Sequence, residues 1–171
     1  ALVHPAVRTE SARRFADEES CPKCGTPFGA IVCTECWERE FAFEATLVTG
    51  ELAPPLSRAI VLHKDSGERR LGAALGTLLG EQVRAAWGPW PSVVTWIPPT
   101  PEALARRGFD HGRSLAEPCA AAIGVDVAPL FQRREAKDQR ALGRAERAAN
   151  AAETFEVIGE VPPRVIIVDD V

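Results

Sequence analysis

Cys21-Pro22-Lys23-Cys24 is followed, after eight intervening residues, by Cys33-Thr34-Glu35-Cys36. Two thiolates separated by two residues reach one ion from a single tight turn. Two such turns close a tetrahedral shell of four sulfurs around zinc. A closed shell leaves no coordination position for a substrate, so Cys21, Cys24, Cys33 and Cys36 are expected to hold a structural Zn²⁺. The ion would fold a segment too short to bury a core of its own. Lys23, inside the first turn, is expected to offset part of the thiolate charge. The remaining cysteine, Cys119, falls on an apolar helical face and reads as a packing residue.

Disulfides are the competing use of paired cysteines. The first twenty residues mix Arg8, Glu10, Arg13, Arg14, Asp17, Glu18 and Glu19, without the apolar stretch of a secretory signal. No run approaches the roughly 20 apolar residues of a bilayer span. A cytoplasmic, reducing location without membrane insertion is therefore expected, and thiolates are favoured over disulfides. The 171-residue length suits one core domain with a small appendage. The net charge of −4 argues against a uniformly basic nucleic-acid coat, though not against a local basic patch. The chain contains no methionine and stops at Asp169-Asp170-Val171, directly after an apolar run. It reads as a fragment or a shortened product.

Three regions emerge: a lead-in over 1–20, the cysteine knuckle over 21–50, and an α/β domain over 51–171 introduced by Pro54-Pro55. Leu56, Ala59, Ile60 and His63 recur at helical spacing, with His63 packing on its helix. Leu71, Leu75, Leu78, Leu79 and Val83 repeat the pattern, predicting a helix over about 68–87 that Gly88-Pro89 stops. Val93–Ile97 is β-rich and bounded by prolines, hence a strand, and 98–101 follows as a loop. Asp110 is placed to cap a helix that Gly124 ends, with Pro118 expected to kink or delay it. A strand near Val125–Phe131 and a weak one over Phe155–Ile158 are expected. Val165-Ile166-Ile167-Val168 has the continuous apolar character of a strand buried on both faces of a parallel sheet. Strands alternating with helices imply an α/β sandwich.

Asp169-Asp170 stands at the tip of that last strand. Ligands of open parallel sheets bind beyond the carboxyl ends of the strands. Adjacent carboxylates there accept hydrogen bonds from paired ribose hydroxyls, or help hold Mg²⁺ beside a phosphorylated ligand. An ordinary polar strand end is the competing reading.

Ile97-Pro98-Pro99-Thr100, Arg106-Arg107-Gly108-Phe109, then Gln139, Leu142, Glu146-Arg147, Asn150 and the final Val-Asp-Asp follow the paired cysteines in order. With Lys64 and Gly67 ahead of an amphipathic helix, this series resembles the competence protein F (ComF) family over roughly Cys21 to Val171. The resemblance implies a type I phosphoribosyltransferase-like fold, a parallel sheet flanked by helices. It also implies phosphoribosyl pyrophosphate (PRPP) with Mg²⁺ as the ligand. In such proteins the acidic pair meets the ribose hydroxyls, which maps catalytic roles to Asp169 and Asp170. The loop after the early strand approaches pyrophosphate, mapping to Pro98, Pro99 and Thr100, and Arg106 or Arg107 is suited to neutralise that charge with forked donors. Gln139, Arg147 and Asn150 match a flexible hood. Many relatives read Val-Pro-Val-Pro at the proline loop and Asn-Gln where this chain has Asp110-His111. The Thr-Thr-Gly-x-Thr stretch that cradles the 5′-phosphate in the family does not follow the acidic pair here. The chain as given is accordingly expected to bind PRPP poorly.

Two functions are open at this point. One is a phosphoribosyltransferase passing ribosyl phosphate to a nitrogenous acceptor. The other is a non-catalytic competence factor that receives single-stranded DNA or docks a helicase-like partner through the knuckle. Arg133, Arg134, Lys137, Arg140, Arg144 and Arg147 form a basic segment that suits phosphates or single-stranded DNA, or is simply a solvated surface. His111 is a general-base candidate or a helix-start surface residue. Trp87, Trp90 and Trp96 read as core or hinge fillers.

Overall fold

The computed structural model describes residues 20–26, 31–88, 90–134 and 154–170. Helix α1 spans Leu56–Asp65 and α2 spans Arg69–Trp87. Strand β1 is Val93–Trp96, followed by the short α3, Pro101–Arg107, and by α4, His111–Ile123. Strands β2 (Asp126–Val127), β3 (Phe131–Arg133), β4 (Phe155–Val157) and β5 (Val165–Val168) complete the order. This is a mixed α/β molecule with a small parallel sheet flanked by helices and a four-cysteine cluster near the amino end.

The sheet runs β2-β1-β5, both pairings parallel, with Val93 to Trp96 in register with Val165 to Val168. Helix α4 lies on this sheet and α2 packs along α4. Val94, Trp96, Ile166 and Val168 from the strands, Leu75 and Val83 from α2, and Leu115, Ala116, Cys119 and Ala120 from α4 form the core. Burial of such β-branched and leucine side chains is worth roughly 1.5–3 kcal/mol each, which holds a sheet of short strands together.

Helix boundaries follow local chemistry. The Asp110 side chain accepts from the Arg113 N–H at 3.0 Å, capping α4. Gly124 ends the same helix at φ +85°, a left-handed conformation glycine adopts without strain. Pro118 sits inside α4 without terminating it. Its missing N–H frees the Ser114 carbonyl, which faces Gly72 of α2, where no side chain intrudes. Helix α3 is absent from the sequence reading, which gave its first residue, Pro101, to the loop; it is capped by the Thr100 hydroxyl, which accepts from the Ala103 N–H at 3.1 Å.

Two strand expectations need correction. The run expected near Val125–Phe131 divides. Asp126-Val127 pairs parallel with β1, while Phe131–Arg133 leaves the sheet to pair antiparallel with β4. Pro129, with no N–H to donate, breaks the ladder between them, and the Leu130 N–H donates instead to the Thr95 hydroxyl. Nor is β5 buried on both faces, because Ile167 is 52% exposed. The strand is the edge of the described sheet, and only its Ile166 and Val168 side meets the core.

Among the described residues no helix is long and apolar enough to cross a membrane.

Candidate functional site

Two sites take shape, a metal centre and a charged cluster at the sheet's carboxyl end. In the first, the Sγ atoms of Cys21, Cys24, Cys33 and Cys36 all lie within 4.8 Å of one another, and those of Cys24 and Cys33 are 3.6 Å apart. Zinc–thiolate bonds of about 2.3 Å in a tetrahedron set sulfurs roughly 3.8 Å apart, so this donor set fits a closed zinc shell. All four are free thiols. Cys21, Cys33 and Cys36 are buried with Val32 and Phe41 packed beside them.

The turns that present the sulfurs are fixed by the backbone. The Gly25 N–H donates to the Cys21 carbonyl and the Cys36 N–H to the Cys33 carbonyl, each at 2.9 Å. Gly25 sits at φ +74°, and a side chain there would overlap Val48. Burial opposes ionisation of Cys21, but N–H donors from Cys33, Cys24 and Lys23 outweigh it and bring the thiol down to about 6. Burial pushes Cys36 up to about 12, reinforced by Cys24 and Cys33, and raises Cys33 as well. Lys23 also has a structural role. Its ammonium donates to the Phe43 and Glu44 carbonyls at 3.1 and 2.7 Å, tying the first knuckle to the following strap. Cys119 is fully buried, and burial alone raises it to about 11.

The second site gathers at the carboxyl ends of β1 and β5. These strands lie side by side, while the connection after β1 carries the chain to β2 on its opposite edge. The ends of β1 and β5 thus flank a topological switch point, where open α/β sheets form crevices. The loop 97–100 leaves β1 here and Asp169-Asp170 leaves β5 here.

Asp170 turns inward, its side chain 5% exposed. The Lys64 ammonium, from the last turn of α1, stands 3.0 Å from its Oδ1 and 2.8 Å from its Oδ2. Only the Oδ1 contact has hydrogen-bond direction, leaving Oδ2 buried without a donor. His111 Nε2 lies 4.0 Å from that same Oδ2. Arg107 stands 3.2 Å from His111 Nδ1 and reaches Asp65 at 3.3 Å, while its Nε is buried without a partner. Donation by Arg107 makes Nδ1 the acceptor and leaves the imidazole proton on Nε2, facing Asp170. Burial holds His111 below its ordinary range, with Arg107 and Lys64 adding to the effect against Asp170 and Asp110. Asp169 is more open. Desolvation holds its carboxyl above the ordinary range, the Asp170 charge adding to this, against the Asp170 N–H it accepts at 2.9 Å.

The structure brings together Asp169, Asp170, Arg107 and the 98–100 loop, but not every expected residue. Arg106 is exposed on α3. Thr100 is committed to its cap, and the Pro98 carbonyl accepts from Arg133 Nε at 3.1 Å. Gln139, Arg147 and Asn150, and the basic segment from Lys137 onward, lie outside the described residues. Phe109 packs edge-on against His63 at 5.3 Å with the Arg69 guanidinium over its ring, a structural role. His63 does more than pack on its helix: 1% exposed, it meets the Ser114 hydroxyl of α4 at 2.9 Å. Trp96 is both core and clamp, donating to Asp110 Oδ2 at 2.8 Å.

Lys64 is the residue whose role the sequence reading missed. It appeared only as a family marker, because the meeting of its helix end with a strand tip 106 residues away is a relationship that only the fold supplies. The oxygens of Asp169 and Asp170 are hard donors suited to Mg²⁺, and the donorless Asp170 Oδ2 fits such an ion, on the side where Lys64 now stands. No family model matches this chain, and no curated protein or solved structure was found to be similar to it.

Proposed function

We propose that the cleft at the carboxyl ends of β1 and β5 binds a phosphorylated ribose, and that the protein is a ComF-like, phosphoribosyltransferase-type enzyme with a zinc-clipped knuckle. PRPP with Mg²⁺ is the ligand pair this reading selects. The single observation that carries it is the buried, ion-paired Asp170 at the switch point between two parallel strands. Asp169 and one oxygen of Asp170 would accept from the ribose diol, which leaves the donorless Oδ2 of Asp170 to Mg²⁺, the ion that neutralises phosphate charge when bound. Arg107 and Lys64 bring positive charge to the same end of the sheet.

In the reaction, the bond from ribose C1 to pyrophosphate breaks and a bond from C1 to an acceptor nitrogen forms. The nitrogen's proton goes to solvent and pyrophosphate leaves. Positioning and charge stabilisation, without a covalent nucleophile, carry such a step.

Titration calorimetry with PRPP and Mg²⁺, on protein expressed from its complete reading frame, tests the proposal. Saturable binding that Asp169→Asn/Asp170→Asn abolishes is expected. Absence of binding, or binding unchanged in the double variant, overturns it. The competing DNA or helicase-docking role has less behind it. The knuckle exposes Glu35, Glu38, Glu40 and Glu44, which repel a phosphate backbone. Arg134 already pairs with Glu156 at 3.5 Å.

A further inference from the structure

The carboxylate of Asp170 is too deeply buried to stand alone, since an uncompensated charge in such a place is strongly disfavoured. Lys64 and His111 face it, with Arg107 behind His111, and only Lys64 is at contact distance. Arg107 is occupied by Asp65 and His111. His111 stands at 4.0 Å. The Lys64 ammonium touches both oxygens. Lys64 is also the member of the cluster that can leave: its side chain is 29% exposed, on a flexible four-carbon stem at the end of α1.

We infer that Lys64 is an exchange residue, holding Asp170 in the resting protein and moving to the anionic phosphate of the incoming ligand, so that Asp170 is released to a divalent cation only when that anion arrives. The inference rests on the ribose-phosphate reading above and deepens it. Two cations in contact with one buried carboxylate repel each other with little screening, which weakens the binding of the second unless an anion draws one of them away. Lys64 therefore blocks the cation while unliganded. Once its ammonium hydrogens turn to phosphate oxygens, the donorless Oδ2 of Asp170 faces a free position. Cation and phosphate are thereby bound together and not one by one, which couples their affinities reciprocally.

The probes are Mn²⁺ alone, followed by its electron paramagnetic resonance signal, and the preformed Mn²⁺–pyrophosphate complex, followed by calorimetry. Both are applied to the zinc-loaded chain. Lys64→Met is expected to bind Mn²⁺ alone at least tenfold more tightly than wild type, and the Mn²⁺–pyrophosphate complex at least tenfold more weakly. Lys64→Arg, which keeps the charge, should match wild type in its weak response to Mn²⁺ alone. Lys64→Gln retains a hydrogen bond to Asp170 without the charge. It supplies the same test if the methionine variant does not fold, and circular dichroism decides which variant is read.

Folded Met or Gln variants that bind Mn²⁺ no better than wild type overturn the inference. So does a gained site that survives Asp170→Asn in the same background. A gained Mn²⁺ site with no response to pyrophosphate or PRPP in any form of the protein would defeat the ligand reading and with it the transfer of Lys64 to phosphate, leaving only the block that Lys64 places on a cation site at Asp170.

Discussion

Lys64 and Asp170, 106 residues apart in sequence, meet at 2.8 Å where the end of a helix faces the tip of a parallel strand. The acid is almost wholly buried and the base only partly. Removal of one partner leaves a desolvated charge, whereas removal of both leaves none. Lys64→Met should therefore destabilise the fold by about 2–3 kcal/mol, and Lys64→Met/Asp170→Asn by clearly less than the sum of the single changes. A double-mutant cycle from urea midpoints reads the coupling. Additive effects would show that the pair contributes nothing to folding.

His111 makes stability sensitive to mild acid. Its folded value lies below its unfolded value of about 6.5, because burial, Arg107 and Lys64 disfavour the imidazolium more than Asp170 and Asp110 favour it. Between those two values the unfolded chain carries the extra proton. Stability is then fully present above about 6.5 and falls as pH drops through the window, by up to about 1.4 kcal/mol per unit. Asp169 acts with the opposite sign further down: raised above 3.8, it holds a proton in the folded state first, so acidification there favours folding. His111→Asn should remove the loss that sets in as pH falls below about 6.5 in denaturant titrations. A slope that persists in the variant assigns it to another group.

Zinc loading should release protons. Cys36, near 12, and Cys33, also raised, carry their hydrogens at neutral pH without metal, and both must ionise to ligate. Affinity should therefore climb by at least about a hundredfold per pH unit near neutrality. Competition with a chromophoric chelator at several pH values reads this. One equivalent of zinc, lost with any of Cys21→Ser, Cys24→Ser, Cys33→Ser or Cys36→Ser but not with Cys119→Ser, is the expected stoichiometry. Zinc retained at full occupancy in two or more of the four variants would reject the four-sulfur shell.

Much of this was readable from local chemistry. The cysteine spacing states its own geometry, the helical period of 69–87 holds because packing reinforces it, and the apolar run of 165–168 forms its strand, though buried on one side only. Asp110 and Gly124 marked both ends of α4. What failed to show were relationships between distant residues. Nothing near Lys64 announces Asp170, and nothing near Ile167 tells that β5 borders the described sheet. Pro118 looked like an interruption because the sequence does not reveal that its free carbonyl partner would face a glycine on another helix. Helix α3 is a different kind of miss: Thr100-Pro101 before a helix-forming stretch and Gly108 after it are adequate signals, masked by the neighbouring prolines.

The α2–α4 contact depends on three glycines four residues apart, Gly72, Gly76 and Gly80, all on the face of α2 that meets α4. A methyl group at Gly76 would overlap the Leu115 carbonyl oxygen and come within 2.5 Å of the Pro118 ring. One at Gly80 would fall 2.5 Å from the Cys119 carbonyl oxygen. On helix propensity alone, glycine to alanine gains about 1 kcal/mol. Here the obstacle is backbone, which cannot swing aside as a side-chain tip can, so the sign should reverse. Gly76→Ala should cost about 2–4 kcal/mol, as overpacking of a tight core does. Gly67→Ala, at φ +74° with open surroundings, should cost only about 1 kcal/mol through backbone strain. Chemical denaturation of zinc-loaded protein measures both. A stabilised Gly76→Ala would mean that the two helices sit farther apart than the structure places them.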